Sequence, residues 1–93
     1  MSIERLHIIV FGQVQGVFFR SGVQSEAKKL SLVGWVKNRD DGSVEIEAEG
    51  ERESLESLLV WCYHGPKGAG VSDIEFAWQD ACGEYADFGI RHE

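Results

Sequence analysis

Ninety-three residues, 43% of them hydrophobic, bound this chain to one domain, residues 1–93, around one core of modest depth. Sixteen acidic against nine basic side chains give a formal charge of -7, which repels phosphate backbones and anionic headgroups, so neither nucleic acid nor membrane is expected as a partner. Five Phe, three Trp, two Tyr and a single Pro set the chain apart from disordered sequences.

The amino terminus, Met1-Ser2-Ile3-Glu4-Arg5, carries an acid early and lacks the apolar core of a secretion signal. No apolar run approaches the roughly 20 residues of a membrane span, and the chain reads as cytoplasmic. Residues 6–11 place Leu6, Ile8 and Val10 on one face and His7, Ile9 and Phe11 on the other, which predicts a first strand. After the glycine-bearing turn Gly12-Gln13-Val14-Gln15-Gly16, the spacing of Val23, Ala27 and Leu30 predicts a helix over about 19–30, which Gly34 is expected to end. Trp35-Val36-Lys37-Asn38 is short and β-prone, and Asp40-Asp41-Gly42 supplies a turn that reverses the chain. Residues 43–49 alternate Val44, Ile46 and Ala48 with Glu45, Glu47 and Glu49, the pattern of a strand with one buried and one wet face.

Leu55, Leu58, Leu59 and Cys62 predict a second helix over 51–63, stopped by Gly65-Pro66. Residues 71–78 read as a further strand with Ile74, Phe76 and Trp78 facing one way, and 87–91 as a short last one. The order is β-α-β-β-α-β with a split fourth-strand region. It implies an α+β, ferredoxin-like sandwich: an antiparallel sheet of four to five strands with two helices on one face. Such a fold hosts many activities, so function has to be read from a site.

The segment from Gly12 to Arg20 sets a glycine-containing turn between a strand and the start of a helix, where backbone amides lack partners and bind anions. Arg20 there adds a planar fork of donors suited to phosphoryl oxygens. Taken by spacing alone, the glycines serve equally well as a tight turn with a solvated arginine behind it, and Asn38 as a local backbone cap.

The residues themselves say more. Gly12-x-Val14-Gln15-Gly16-Val17-x-Phe19-Arg20, followed by Gly34-Trp35-Val36-Lys37-Asn38-x-x-x-Gly42-x-Val44, closely resembles the two signature segments of the acylphosphatase family. Weaker landmarks follow in Gly65-Pro66-x-x-Ala69-x-Val71 and Phe88-x-Ile90-Arg91. The resemblance implies a ferredoxin-like fold and hydrolysis of small acyl phosphates without cofactor or metal. It implies a phosphate cradle formed by Gln15, Gly16, Val17, Phe18, Phe19 and Arg20, with Asn38 orienting the attacking water. Inorganic phosphate or sulfate would then compete for the cradle, and a monomer is the default state. Two residues depart from the family's habit: Gly22, which should loosen the first helix by roughly 1 kcal/mol relative to alanine, and Arg39, which with Lys37 would add positive potential near the site.

Other candidate chemistry is weaker. His7, His64 and His92 are scattered without metal-ligand spacing and read as structural or surface residues. Ser21, Ser25 and the cysteines have no evident neighbouring base. Cys62 and Cys82 read as two free, mostly buried thiols, with a single bridge as the alternative. The competing functions are a ferredoxin-like module that binds phosphorylated metabolites without hydrolysis, and nucleic-acid binding on the sheet, which the glutamates of the third strand oppose.

Overall fold

The computed structural model describes residues 2–92; Met1 and Glu93, the ends of the expected 1–93 domain, lie outside the described residues. Seven elements follow in order: β1 (Ile3–Gln13), α1 (Phe19–Lys29), β2 (Val33–Asn38), β3 (Val44–Glu51), α2 (Arg52–His64), β4 (Gly70–Asp80) and β5 (Phe88–Arg91). They build a five-stranded sheet ordered β4-β1-β3-β2-β5 with both helices packed on one face, a ferredoxin-like α+β sandwich. Among the described residues no helix is long and apolar enough to cross a membrane.

The period-two pattern sets the register. Leu6 faces Ala48, Ile8 faces Ile46 and Val10 faces Val44 across the β1–β3 ladder, and all six side chains are fully buried. Phe19, Val23 and Ala27 of α1 and Leu55, Leu58 and Cys62 of α2 close over them. Removing each large aliphatic side chain from water is worth about 1.5–3 kcal/mol, so this seam contributes strongly to the driving force for folding. Helix α1 lies over β2 and β5, and α2 over β1, β3 and β4.

Pairing is antiparallel except at one edge. β5 runs parallel to β2, with Val36 opposite Ile90, so the sheet is mixed rather than wholly antiparallel. A parallel neighbour requires a long crossover, and here β3, α2 and β4 all intervene. The expected split of the fourth-strand region corresponds to β4 and β5 at opposite edges of the sheet.

Several local expectations are corrected. β1 extends beyond 6–11 at both ends because its polar ends continue the ladder, Ile3 against Glu51 and Gln13 against Gly70. Gly34 does not end the first helix. That helix closes at Leu30, whose amide reaches the carbonyls of Glu26 and Ala27, before Ser31 turns the chain at φ 60°. Gly34 lies inside β2 at φ 139°, where a Cβ would fall 1.9 Å from the carbonyl oxygen of Glu47. Gly22 likewise makes room rather than slack: a Cβ there would meet Trp61 Cη2 at 2.7 Å, and the Trp61 ring in turn packs edge-on against Phe19.

The glutamate face of β3 is not simply wet. Glu45 accepts a hydrogen bond from His7 Nε2 at 2.6 Å, and Glu47 pairs with Arg5 and accepts from the Tyr85 hydroxyl. Glu49 is only 2% exposed. It accepts hydrogen bonds from the amides of Cys82 and Gly83 and from Cys82 Sγ, which fastens the loop before β5. Burial alone would raise the Glu49 carboxyl, but these donors, helped by Arg5, hold it below its ordinary value. Both thiols are free. Cys62 is buried and pushed up to about 12, whereas Cys82 is exposed, not buried as expected.

Candidate active site

Between Gln13, the end of β1, and Phe19, the start of α1, the chain turns through Gly16 at φ 76° and Phe18 at φ 62°. A left-handed conformation at a non-glycine residue costs about 1–2 kcal/mol, so Phe18 is held there by its surroundings. Among the described residues, no backbone carbonyl accepts an amide hydrogen from residues 15–20. The first turn of α1 also carries no acidic side chain and Phe18 supplies no side-chain cap, while Lys28 and Lys29 occupy the last turn. The positive end of the helix dipole and a run of donors therefore converge on one loop, the arrangement that receives an oxyanion.

This loop walls a cavity of about 290 Å³. Of the residues expected in the site, Gly16, Phe18, Phe19, Arg20 and Asn38 line it; Gln15 and Val17 do not. Gln15 is used instead as a tie, its Nε2 donating to the carbonyls of Arg39 at 2.8 Å and Ser43 at 3.0 Å. That joins the loop to the β2–β3 turn, where Gly42 takes φ 92° and Asp41 accepts from the Ser43 amide. Hydrogen bonds from the Ser43 hydroxyl and amide hold the Asp41 carboxyl below its usual value.

Asn38 is the last residue of β2, and its Oδ1 atom is buried with no hydrogen-bond partner in the protein. Buried acceptors are nearly always paired, and because Asn38 also lines the cavity, its carboxamide is a place where a small rotation would bring in a donor from solvent or ligand. Arg20 enters the same cavity from the first turn of α1, with Nη1 at 3.1 Å from Nδ1 of His92. Val14 and Ile90 complete apolar parts of the wall.

Lys37 and Arg39 stay out of the cavity. Lys37 lies 3.9 Å from Glu45 and over the Trp35 ring, and Arg39 lies 3.9 Å from Asp41. Ser21 lines the cavity, but its hydroxyl donates to the Phe18 carbonyl. Among the described residues no three His, Cys, Asp or Glu side chains gather as a metal site would need.

Sequence reasoning missed His92, which it left among the surface histidines. A signal for it existed in strand parity: Val36 pairs with Ile90, and two residues further along stand Asn38, at the end of β2, and His92, one past the end of β5. It became usable only once β5 was known to lie beside β2.

A family model described as acylphosphatase matches residues 6–90. An acylphosphatase of Pelotomaculum thermopropionicum is 48% identical over 90 residues, covering 97% of this chain and 98% of that protein. The crystal structure of acylphosphatase from Bacillus subtilis is similar at a TM-score of 0.91 and 44% identity, covering 95% of this chain and 98% of that one. The structure of an acylphosphatase from Coxiella burnetii gives a TM-score of 0.90 at 42% identity, covering 97% and 94% respectively.

Proposed function

The chain belongs to the acylphosphatase family and is an acylphosphatase, and from that premise we propose that it hydrolyses the carboxyl–phosphate bond of small acyl phosphates by direct attack of a water held by Asn38. The observation that carries the reading is that Asn38, whose Oδ1 has no partner in the protein, lines the same cavity as Arg20 and the amide-rich loop.

In this mechanism the phosphoryl oxygens receive the amides of residues 15–20 and the guanidinium of Arg20. Gly16, Phe18 and Phe19 shape the wall, and Gln15 and Val17 contribute through the backbone alone. Oδ1 of Asn38 accepts one hydrogen of the water and fixes its oxygen on the phosphorus. As the new O–P bond forms, the P–O bond to the acyl group breaks and its electron pair leaves on the carboxylate. A carboxylic acid has a pKa of about 4.3, so that oxygen departs without a general acid. The asparagine is neutral and takes no proton; the phosphate oxygens are the acceptor nearest the water. Alignment plus charge stabilisation is what a loose phosphoryl-transfer transition state chiefly requires, and neither needs a metal or cofactor.

The same reading has the chain act in the cytoplasm as a monomeric single domain, with neither nucleic acid nor membrane as partner, in keeping with its formal charge of -7. The test is an assay of the purified protein with a small aryl acyl phosphate in the presence of chelator, with a phosphate monoester as control. Turnover of the first and not the second, inhibited competitively by inorganic phosphate or sulfate, is expected. Phosphate binding without turnover would mark the chain as a phosphometabolite-binding module instead.

A further inference from the structure

The cavity is larger than the group it anchors. At about 290 Å³ it stands near the lower bound of small-molecule sites, with room for the acyl part of a substrate beside the phosphoryl group. The loop amides and Arg20 serve the phosphoryl end. The apolar lining includes Val14, Phe18 and Ile90, and among the described residues Arg20 is the one lysine or arginine on the wall. Lys37 and Arg39 flank a separate depression, shared with Asp40, Asp41 and Glu45.

Phe18 is out of place by two separate criteria. Its φ of 62° is a conformation that glycine, asparagine or aspartate adopts more easily. Its ring is 83% exposed, more than any other large hydrophobic side chain among the described residues, and no aromatic ring packs against it. The backbone accounts for the first: the Phe18 carbonyl accepts from the Gly22 amide at 3.0 Å and from the Ser21 hydroxyl at 3.1 Å, and so opens α1. Neither contact uses the ring. A phenyl group left in water at the mouth of a partly apolar cavity gains when a ligand covers it.

We propose that Phe18 determines specificity for the acyl group: its ring covers the acyl end, and the site prefers aromatic and apolar acyl phosphates over those carrying a second carboxylate. This rests on the reading of the loop from Gln15 to Arg20 as the phosphoryl site. An aryl or alkyl acyl group would bury apolar area against Phe18, Val14 and Ile90. A second carboxylate in the same place would lose water without a lysine or arginine of its own to pair with.

The ring is best tested by ratios, because damage to the shared phosphoryl site cancels in them. Phenacylphosphonate and acetonylphosphonate, in which a methylene replaces the bridging oxygen, differ only in the acyl group, and their inhibition constants are read against acyl phosphate hydrolysis. Wild type should bind the phenacyl compound about fivefold more tightly, the worth of one aromatic pair. Phe18→Asn removes the ring but keeps a residue suited to positive φ, and should bring that ratio to within about twofold of one. Phe18→Trp should keep the preference, and Phe18→Leu, which reads the same ratio should Phe18→Asn not fold, should at least halve it. A wild-type ratio of one, or a ratio unchanged in Phe18→Asn or Phe18→Leu, overturns the proposal. The substrate class is tested with butyryl phosphate and succinyl phosphate, which share a chain length and differ by one carboxylate. kcat/KM in wild type should be at least about tenfold higher for butyryl phosphate, and equal or reversed values overturn the stated class. A wild type inhibited by neither phosphonate nor by inorganic phosphate would overturn the reading of the loop as well; inhibition by phosphate with a phosphonate ratio of one overturns this inference alone.

Discussion

Replacing Asn38 by alanine sets the fold and the reaction against each other. A buried acceptor without a partner costs about 1–3 kcal/mol, and alanine deletes the Oδ1 atom that carries that cost. Some half-buried contact of the carboxamide goes with it, so the net change in stability should lie between zero and about 1 kcal/mol in favour of the variant. In a domain of this size 1 kcal/mol moves Tm by about 4–8 °C, so thermal unfolding should show an unchanged or slightly raised midpoint. Turnover should move the other way. Loss of one group that places a reacting atom costs about 10²–10³-fold in kcat, or about 2.7–4 kcal/mol. The phosphate inhibition constant should stay within about twofold, because the loop amides and Arg20 are untouched. Steady-state kinetics and circular dichroism melts on the same preparation give all three quantities. A kcat within about threefold of wild type would remove the water-holding role, and a Tm lowered by more than about 5 °C would make Asn38 a structural cap.

Arg20→Lys should weaken phosphate inhibition at least about tenfold, since a point charge replaces a fork; recovery to wild-type inhibition would show that charge alone suffices. Gly22→Ala should lower Tm despite a helix-propensity gain of roughly 1 kcal/mol, because the new Cβ falls 2.7 Å from Trp61 and overpacking costs about 1–3 kcal/mol. In a Trp61→Phe background the same change should be harmless, and equal losses in both backgrounds would exclude the indole as the cause. Glu49→Gln should cost about 1.5–3 kcal/mol near neutrality by weakening three hydrogen bonds to a buried carboxylate. The folded Glu49 pKa is depressed, so its stabilisation is present above the ordinary carboxyl range and disappears as pH falls through the lowered value. Wild type and variant should therefore converge in acid denaturation experiments, and a constant gap would refute the assignment. A thiol reagent should modify the exposed Cys82 in the native protein and Cys62 only on unfolding; two fast thiols would contradict the buried position of Cys62.

Most of the layered fold was legible because burial follows short periods. The alternations in β1 and β3 and the helical spacing of Val23 and Ala27 each mark a face, and those faces meet in the core. Strand ends were less legible: the ladder carries β1 past its apolar stretch, and periodicity is blind to polar residues that pair through the backbone. Gly34 looked like a stop because a glycine after a helix usually is one; its true constraint, the Glu47 carbonyl, lies thirteen residues away in sequence. The glutamates of β3 followed an alternating pattern that says which way a side chain points and nothing about the loop that later covers Glu49. Arg20 and Asn38, singled out by the motif, line one cavity. The use of Gln15 as a tie and of His92 beside Arg20 depended on contacts spanning 24 to 72 residues, which local spacing cannot carry.

The parallel seating of β5 against β2 makes the cavity depend on the last stretch of the chain. The ladders joining β1, β2, β3 and β4 lie within residues 3–80, whereas the cavity wall also takes Ile90 and His92 from beyond them. Activity therefore depends on the docking of one four-residue strand as well as on the rest of the sheet. That docking brings Arg91 to 4.8 Å over the Trp35 ring, while Trp35 Nε1 donates to the Tyr85 hydroxyl in the preceding loop. Trp35 is thus an indole whose surroundings depend on the strand that also completes the cavity.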